Sequence, residues 1–331
     1  MNGNGSRSSR DQVLARLREA ERLFLVTHER PDGDALGSLI AMQEILTAAG
    51  KHSQMFIDAS EFPLPYEYRF LSLTGMLTEP PADLDGHTVV FLDCVNIDRN
   101  PAEGLSRAGL ILNIDHHHDN TCFGTVNHVV PAASCTAEIV WDLMHGLGVE
   151  LTPTIAQALY VGLITDTGRF MYENTGSRAH VMAAELIDAG VQVHEIYHRV
   201  YEDVPYGKLA LLARGLSKVE RYDEGRLTLT SLSAADFIES GAEESYSEGV
   251  IDHLRAVQGT ELAALVRERP DGGENGPRVK VSLRSSDDRI DVSRIARVQG
   301  GGGHRQAAGF SSDLSPAELV AFLRAELAAQ S

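Results

Sequence analysis

The chain of 331 residues carries 47 Asp and Glu against 29 Lys and Arg, a formal net charge of −18, with 43% hydrophobic and 23% charged residues. This exceeds the roughly 100–200 residues of one domain and supplies enough apolar side chains for a core, which favours two domains and excludes a disordered chain. No apolar run approaches the ~18 residues of a membrane span, and such acidity argues on its face against partners held through phosphate contacts.

The first residues, MNGNGSRSSRDQ, lack the apolar middle of a signal peptide and read as the start of the mature chain, with a disordered tail over 1–10. Helical spacing of Val13, Leu14 and Leu17 predicts a helix over 11–22, and the apolar run Leu23–Val26 a buried parallel strand. A polar turn at 28–34 leads into a helix over Leu36–Ala49, closed by Gly50. Strand-like runs recur at Gln54–Ile57, Thr88–Leu92 and Gly109–Ile114, and helices are expected from Ser134 to about Arg214, including Thr154–Thr165 and Ser177–Ala189. This alternation predicts an α/β fold with a parallel sheet and helices on both faces.

From about Ser217 the pattern changes. Strands are expected at Leu216–Tyr222 and Arg226–Ser231, then at Glu261–Glu268 and Arg278–Arg284, the second pair joined by the polar loop Pro270–Pro277. Helices at Tyr246–Val257, Val292–Val298 and Ser315–Ala329 complete a smaller α/β domain, the last opening on Ser-Pro-Ala-Glu, an N-cap with proline in the first turn. The expected divisions are 11–200, a linker helix over 201–218, and 219–331. Charge is uneven as well: residues 278–305 hold seven Lys and Arg against three Asp.

Ligands of open α/β sheets bind at the carboxyl ends of the strands. The strand ending at Val26 leads to His28, Asp32 and Asp34, the next to Asp93, and the next to Asp115, His116, His117 and His118; the helix over 154–165 ends at Asp166. A lone aspartate at a strand end reads more often as a turn former or helix cap, Asp32 and Asp34 as caps of the helix that follows and Asp166 as the cap of a helix end. Together they crowd carboxylates at one sheet edge, where repulsion calls for cations or protons. Mixed carboxylate and imidazole donors suit Mn²⁺, Mg²⁺, Fe²⁺ or Zn²⁺; the excess of oxygen favours Mn²⁺ or Mg²⁺, and the donors suffice for two ions. Cys94, beside Asp93, reads as a small buried residue. With Cys122 and Cys135 it makes an odd, unpatterned set that suggests no disulfide framework and a reducing, cytoplasmic setting.

The segments His28-x-x-Pro31-Asp32-x-Asp34-Ala35-x-Gly37-Ser38, Asp93, Asp115-His116-His117 and Asp166-Thr167-Gly168 resemble, in order, the four motifs of the DHH phosphoesterases. Gly301-Gly302-Gly303-His304-x-x-Ala307-Ala308-Gly309 resembles the signature of the DHH-associated C-terminal domain. The resemblance spans about Glu21 to Phe310. In size and two-domain layout it is similar to the type that degrades short RNA and dephosphorylates 3′-phosphoadenosine-5′-phosphate (pAp).

The resemblance implies a metal site in a cleft between the domains and two divalent ions, Mn²⁺ above all. His28 and Asp32 would hold one, Asp34, His116 and Asp166 the other, with Asp93 bridging. His117 would face the substrate phosphate as a catalytic group, Asp115 would orient the histidines, and His118 would be a spectator. It further implies a substrate clamp of Arg284, Ser285, Gly301, Gly302, Gly303 and His304, with Arg99 a further phosphate contact; an arginine fork suits phosphate as lysine does not. The expected substrates are short RNA or a small nucleotide, without long double-stranded nucleic acid or membrane, and relatives of this type often form homodimers. A cyclic-dinucleotide phosphodiesterase shares the motifs, whereas a nucleotide sensor with a dead site would lack a ligand, and none is missing.

Overall fold

The computed structural model describes residues 7–100, 102, 104–269, 277–303 and 305–330. The chain divides into two compact units, Met1–Asp203 and Val204–Ser331.

In the first unit, α1 (Arg10–Glu19) starts at a capping box: the Ser9 hydroxyl accepts from Gln12 N, and the Gln12 side chain accepts from Ser9 N. Arg7 already pairs with Asn127. The expected disordered tail therefore ends earlier than residue 10, and residues 1–6 lie outside the described residues. β1 (Arg22–Val26), α2 (Gly33–Ala48), β2 (His52–Met55), β3 (His87–Leu92), β4 (Leu110–Asp115) and β5 (Val126–Val129) follow, and the strands pair in parallel in the order β2-β1-β3-β4-β5. Then come α3 (Thr136–Leu147), α4 (Pro153–Asp166), α5 (Ser177–Asp188) and α6 (Val193–Tyr197).

One sheet face, with Leu23, Leu25, Val90, Leu92, Leu112 and Ile114, is buried under α1 to α5. The other, with Phe24, Val26, Val89, Phe91 and Ile111, is covered by Phe56, Leu105 and loop residues such as Leu77, Leu84 and Phe123. Among the described residues, α-helices cover the first face and short 3₁₀ turns and loops the second. The connections before and after β3 are too broken into short 3₁₀ turns to form the second helical layer that parallel strands normally acquire.

The second unit opens with α7 (Tyr206–Ser217), followed by β6 (Glu220–Tyr222), β7 (Leu227–Leu232), α8 (Ala234–Ser240), α9 (Val250–Arg255), β8 (Leu262–Glu268), β9 (Val279–Ser285), α10 (Val292–Val298), β10 (Gly302–Gly303), β11 (Ala307–Ser312) and α11 (Pro316–Ala328). Leu216, expected to start a strand, lies in the last turn of α7 instead, and β6 is three residues long. Ser315 caps α11 in a box with Glu318, as its sequence suggests. The sheet order is β10-β11-β9-β8-β7-β6, antiparallel except for the β7–β8 pair. Val281, Leu283, Ala308 and Phe310 face a core closed by Ile295 of α10 and Leu319 and Leu323 of α11. On the opposite face α7 packs on β7, and α9 on β8 and β9.

Candidate metal and phosphoester site

The first unit gathers its acids and imidazoles where β1, β3 and β4 end and where α2 begins and α4 finishes. Thr27 Oγ1 donates to the Leu92 carbonyl at 2.9 Å, tying the ends of β1 and β3 together just before His28 and Asp93. Asp32 is the N-cap of α2: its Oδ1 accepts from Asp34 N and Ala35 N, both at 3.0 Å. The capping alternative for Asp32 therefore holds alongside any ligand role. Asp34, 1% exposed, lies in the first turn of α2 and caps a different helix: Oδ2 accepts from Thr136 N at 2.6 Å and Oδ1 from Ala137 N at 2.9 Å, at the start of α3. The formal N-cap of α3, Cys135, makes no side-chain cap bond.

α2 and α4 approach closely at two glycines, Gly37 and Gly162. A Cβ on Gly37 would fall 2.4 Å from the Ala158 carbonyl oxygen, and one on Gly162 2.8 Å from Asp34 Oδ1. The two glycines bring Asp34, at the head of α2, close to Asp166, at the foot of α4.

Asp93 lies at the centre. Its backbone adopts φ 57°, in the left-handed region, and its carboxylate is 2% exposed. Oδ2 stands 3.5 Å from His28 Nε2, and Oδ1 stands 3.7 Å from His116 Nε2. His116 Nε2 is also 3.7 Å from Asp166 Oδ2. Thr136 Oγ1 donates to Asp93 Oδ1 at 3.0 Å. One carboxylate thus turns Oδ2 to His28 and Oδ1 to both His116 and His117, whose Nδ1 lies 3.6 Å away.

These N···O separations exceed hydrogen bonds, and they approach the ~3.0–3.4 Å between neighbouring ligands that each lie ~2.1 Å from one ion. Two triads bring donor atoms within 4.8 Å of one another, His28–Asp32–Asp93 and Asp34–His116–Asp166. A third group joins Asp93, Asp115, His116 and His117. There the Asp115 carboxylate is committed to protein donors: Oδ1 accepts from His116 N and pairs with His117 Nδ1, both at 2.8 Å, and Oδ2 accepts from Asn120 Nδ2 at 2.5 Å. His28 Nδ1 faces the Glu29 carbonyl at 2.7 Å, which places the proton there and turns the Nε2 lone pair toward Asp93 and Asp32. Arg99 Nη2 lies 3.3 Å from that same nitrogen; with its proton committed to Glu29, this is a contact and not a hydrogen bond.

The electrostatics call for a cation. Burial works to raise Asp93, but His28, His117 and His116 outweigh it and hold its carboxyl well below the usual range. Burial and the charges of Asp93, Asp166 and Asp32 push Asp34 well above its ordinary value. Burial, against the opposing His116, together with Asp93 and Asp32, lifts Asp166 to about 7. Burial alone would lower His117, but the Asp115 bond and the charges of Asp93, Asp115 and Asp166 raise it to about 9. The nearby thiols stay out: burial pushes Cys94 up to about 12 and Cys135 well above its ordinary value. Carboxylate and imidazole donors without thiolate fit a divalent cation of the Mn²⁺ or Mg²⁺ kind.

His28, Asp32, Asp34, Asp93, His116 and Asp166 therefore come together, with Asp115, His117 and Arg99 beside them; His118 is exposed. Three partners were not foreseen: Thr136 on Asp93, Asn120 on Asp115, and Asn174, whose Nδ2 donates to Asp166 Oδ2 at 3.1 Å. None carries a chemical signal in the sequence, because each acts through a fold contact.

In the second unit, side chains alternate along β9. Arg284 and Ser282 share the face opposite the core, where Arg284 pairs in register with Ala307 and Ser282 with Gly309, next to Gly302. Ser285 does not join them: it is 1% exposed and its hydroxyl donates to the Asp287 carbonyl at 2.7 Å. One residue's shift along a strand reverses the face, so Ser282 is the serine beside Arg284. Gly302 and Gly303 form the edge strand β10, with Gly301 just before it. A Cβ on Gly301 would lie 2.2 Å from the Gly309 carbonyl, and Gly303 adopts φ 135°. His304 lies outside the described residues.

Residues 22–163 match the DHH family, N-terminal domain, and residues 230–329 the DHHA1 domain. The chain is 35% identical over 288 residues to the bifunctional oligoribonuclease and PAP phosphatase NrnA of Thermus thermophilus, covering 87% of this chain and 83% of that protein. It is 27% identical to the Bacillus subtilis protein of the same name, over 88% of this chain and 89% of the relative. Among solved structures, an exopolyphosphatase-related protein from Bacteroides fragilis superposes with a TM-score of 0.86 at 23% identity, covering 96% of this chain and 95% of that one, which speaks for the fold alone. The chain belongs to the DHH family and is a phosphoesterase with a DHH and a DHHA1 domain.

Proposed function

We propose that this phosphoesterase, with Mn²⁺ as its preferred ion, hydrolyses short RNA to mononucleotides and converts pAp and water to AMP and phosphate. The observation that carries this reading is the Asp93 carboxylate, one oxygen toward His28 and the other toward His116, within the two triads. The nearly full-length similarity to relatives named for both activities gives the substrate class.

In this reading His28, Asp32 and Asp93 would hold one ion and Asp34, His116 and Asp166, with Asp93, the other. A pair of divalent ions supplies Lewis acidity toward the phosphoryl oxygens and lowers the pKa of water. The protein does the positioning. Asp115 fixes the ring of His117, Oδ1 to Nδ1 at 2.8 Å, and so positions an imidazole that would stabilise charge on a phosphoryl oxygen or protonate the leaving oxygen. Arg99 adds a guanidinium beside His28. In the second unit Arg284 above the small residues Ala307, Gly309 and Gly302 suits a phosphate fork on a floor open to backbone contact. A clamp of so few side chains fits a few nucleotides and not a long strand. Three free cysteines accord with a cytoplasmic setting. Among the described residues no helix is long and apolar enough to cross a membrane.

The test compares pAp, two-to-five-nucleotide RNA and c-di-AMP with Mn²⁺, with Mg²⁺ and with chelator. Ion-dependent release of AMP and phosphate from pAp and of mononucleotides from RNA is expected. Turnover of c-di-AMP alone, or of none of the three, overturns the reading.

A further inference from the structure

We infer that Asn120, backed by Asn113, is a positioning residue that holds Asp115 and, through it, the imidazole of His117. The inference rests on the proposed phosphoesterase reading of the site.

Asn120 has all four of its hydrogen-bonding positions filled. Its Nδ2 donates to Asp115 Oδ2 at 2.5 Å and to the Cys94 carbonyl at 3.0 Å. Its Oδ1 accepts from Asn113 Nδ2 at 2.9 Å and from Cys122 N at 2.7 Å. Two acceptors on one side and two donors on the other leave a single orientation for the amide. Asp115 then presents its other oxygen to His117 Nδ1 at 2.8 Å. The chain Asn113–Asn120–Asp115–His117 therefore runs from the interior of the sheet to the one histidine of the motif that belongs to neither ligand triad.

The far end of this chain breaks a local rule. Asn113 lies in β4 among Ile111, Leu112 and Ile114, is fully buried, and keeps a buried Oδ1 without a hydrogen-bond partner. A valine at that place would suit a parallel strand better and leave no polar atom unpaired. What Asn113 does contribute is a donor to Asn120. A stability cost borne at a residue whose visible service is to orient a group near the reacting centre is the expected signature of positioning. The Cys94 carbonyl follows Asp93 directly, so Asn120 also ties the His117 support to the strand end that carries the central carboxylate.

The experiment uses the full chain with Mn²⁺ for kinetics and Mg²⁺ for NMR. For Asn120→Ala, kcat on pAp should fall ~10–100-fold, the range for losing an outer partner of a working histidine. KM should stay within about twofold and bound metal should be unchanged, as expected when support for a group acting in the transition state is lost. The ¹⁵N shifts of the His117 ring should move. Asn113→Val guards against a folding defect: it should match or exceed the parent in thermal stability, yet lower kcat and shift His117 in the same direction. A merely structural role would not separate stability from kcat in this way. Unchanged kcat and unchanged His117 shifts in both variants would overturn the inference, as would a loss that tracks loss of bound metal. The NMR arm needs no substrate, so failure of the substrate reading leaves it in force.

Discussion

Asp34 Oδ2 accepts the backbone N–H of Thr136 at 2.6 Å, which makes a carboxylate on α2 the cap of α3. The same side chain belongs to a ligand triad, so one group joins helix packing to metal chemistry. Asp34→Ala leaves the N–H groups of Thr136 and Ala137 buried without their acceptor. The loss should cost the metal-free protein about 2 kcal/mol, read by urea unfolding. An unchanged midpoint would show that the cap contributes nothing.

The pH dependence of the metal-free protein follows from the raised carboxyls. A carboxyl whose folded pKa exceeds its unfolded value contributes stability below the unfolded value and loses it as pH climbs through the folded one. Asp166, raised to about 7 by burial and by Asp93 and Asp32, and Asp34 both act in this direction. Stability should therefore fall between pH 4 and pH 7. Asp166 should account for about 2 kcal/mol, less than its full shift implies, because 26% of its side chain is exposed to screening solvent. A saturating divalent ion should reverse the trend, and the ion-bound minus ion-free difference in Tm should widen with pH.

Asp93→Asn removes the charge that faces both His28 and His116. Turnover should fall by more than the ~10–100-fold typical of losing an outer partner, and bound metal should drop in the same preparation. Near-parental turnover with full metal would refute the central role of Asp93.

Gly37→Ala tests the crossing of α2 and α4. The added methyl meets the Ala158 carbonyl, a backbone atom that cannot rotate away. Overpacking of this kind should cost about 2–3 kcal/mol and weaken ion affinity, because Asp34 and Asp166 ride on the separated helices. Calorimetric titration with Mn²⁺ reads the second effect.

Gly301→Ala tests the second unit on its own. The new Cβ would run into the Gly309 carbonyl and part β10 from β11. Losing one or two backbone contacts to a phosphate, ~1–2 kcal/mol, should raise KM about 5–30-fold and leave bound metal intact.

The donor set was legible because it sits where physics puts ligands in a parallel sheet, at strand carboxyl ends: His28, Asp93 and Asp115 each follow an apolar run. The partners of those residues were not. Thr136 reaches Asp93 only because α3 starts beside β3, and nothing local in Thr-Ala-Glu announces it. β5 escaped notice because Asn127 and His128 look like loop residues; both are buried, with the Asn127 amide bound to Gly124. α8 is seven residues long, too short for a helical period to stand out. Ser285 and Arg284 are neighbours in sequence but lie on opposite faces of β9, a distinction that only the strand's period of two makes.

The left-handed backbone of Asp93 restricts what can replace it. At φ 57° most side chains strain the chain, while Asn, Asp and Gly tolerate it. The position is therefore barred twice, once by charge and once by conformation, and an alanine there would confound a lost ligand with a distorted strand end. Only asparagine separates the two. A chain of this fold that had lost this one carboxylate would be expected to carry asparagine or glycine in its place.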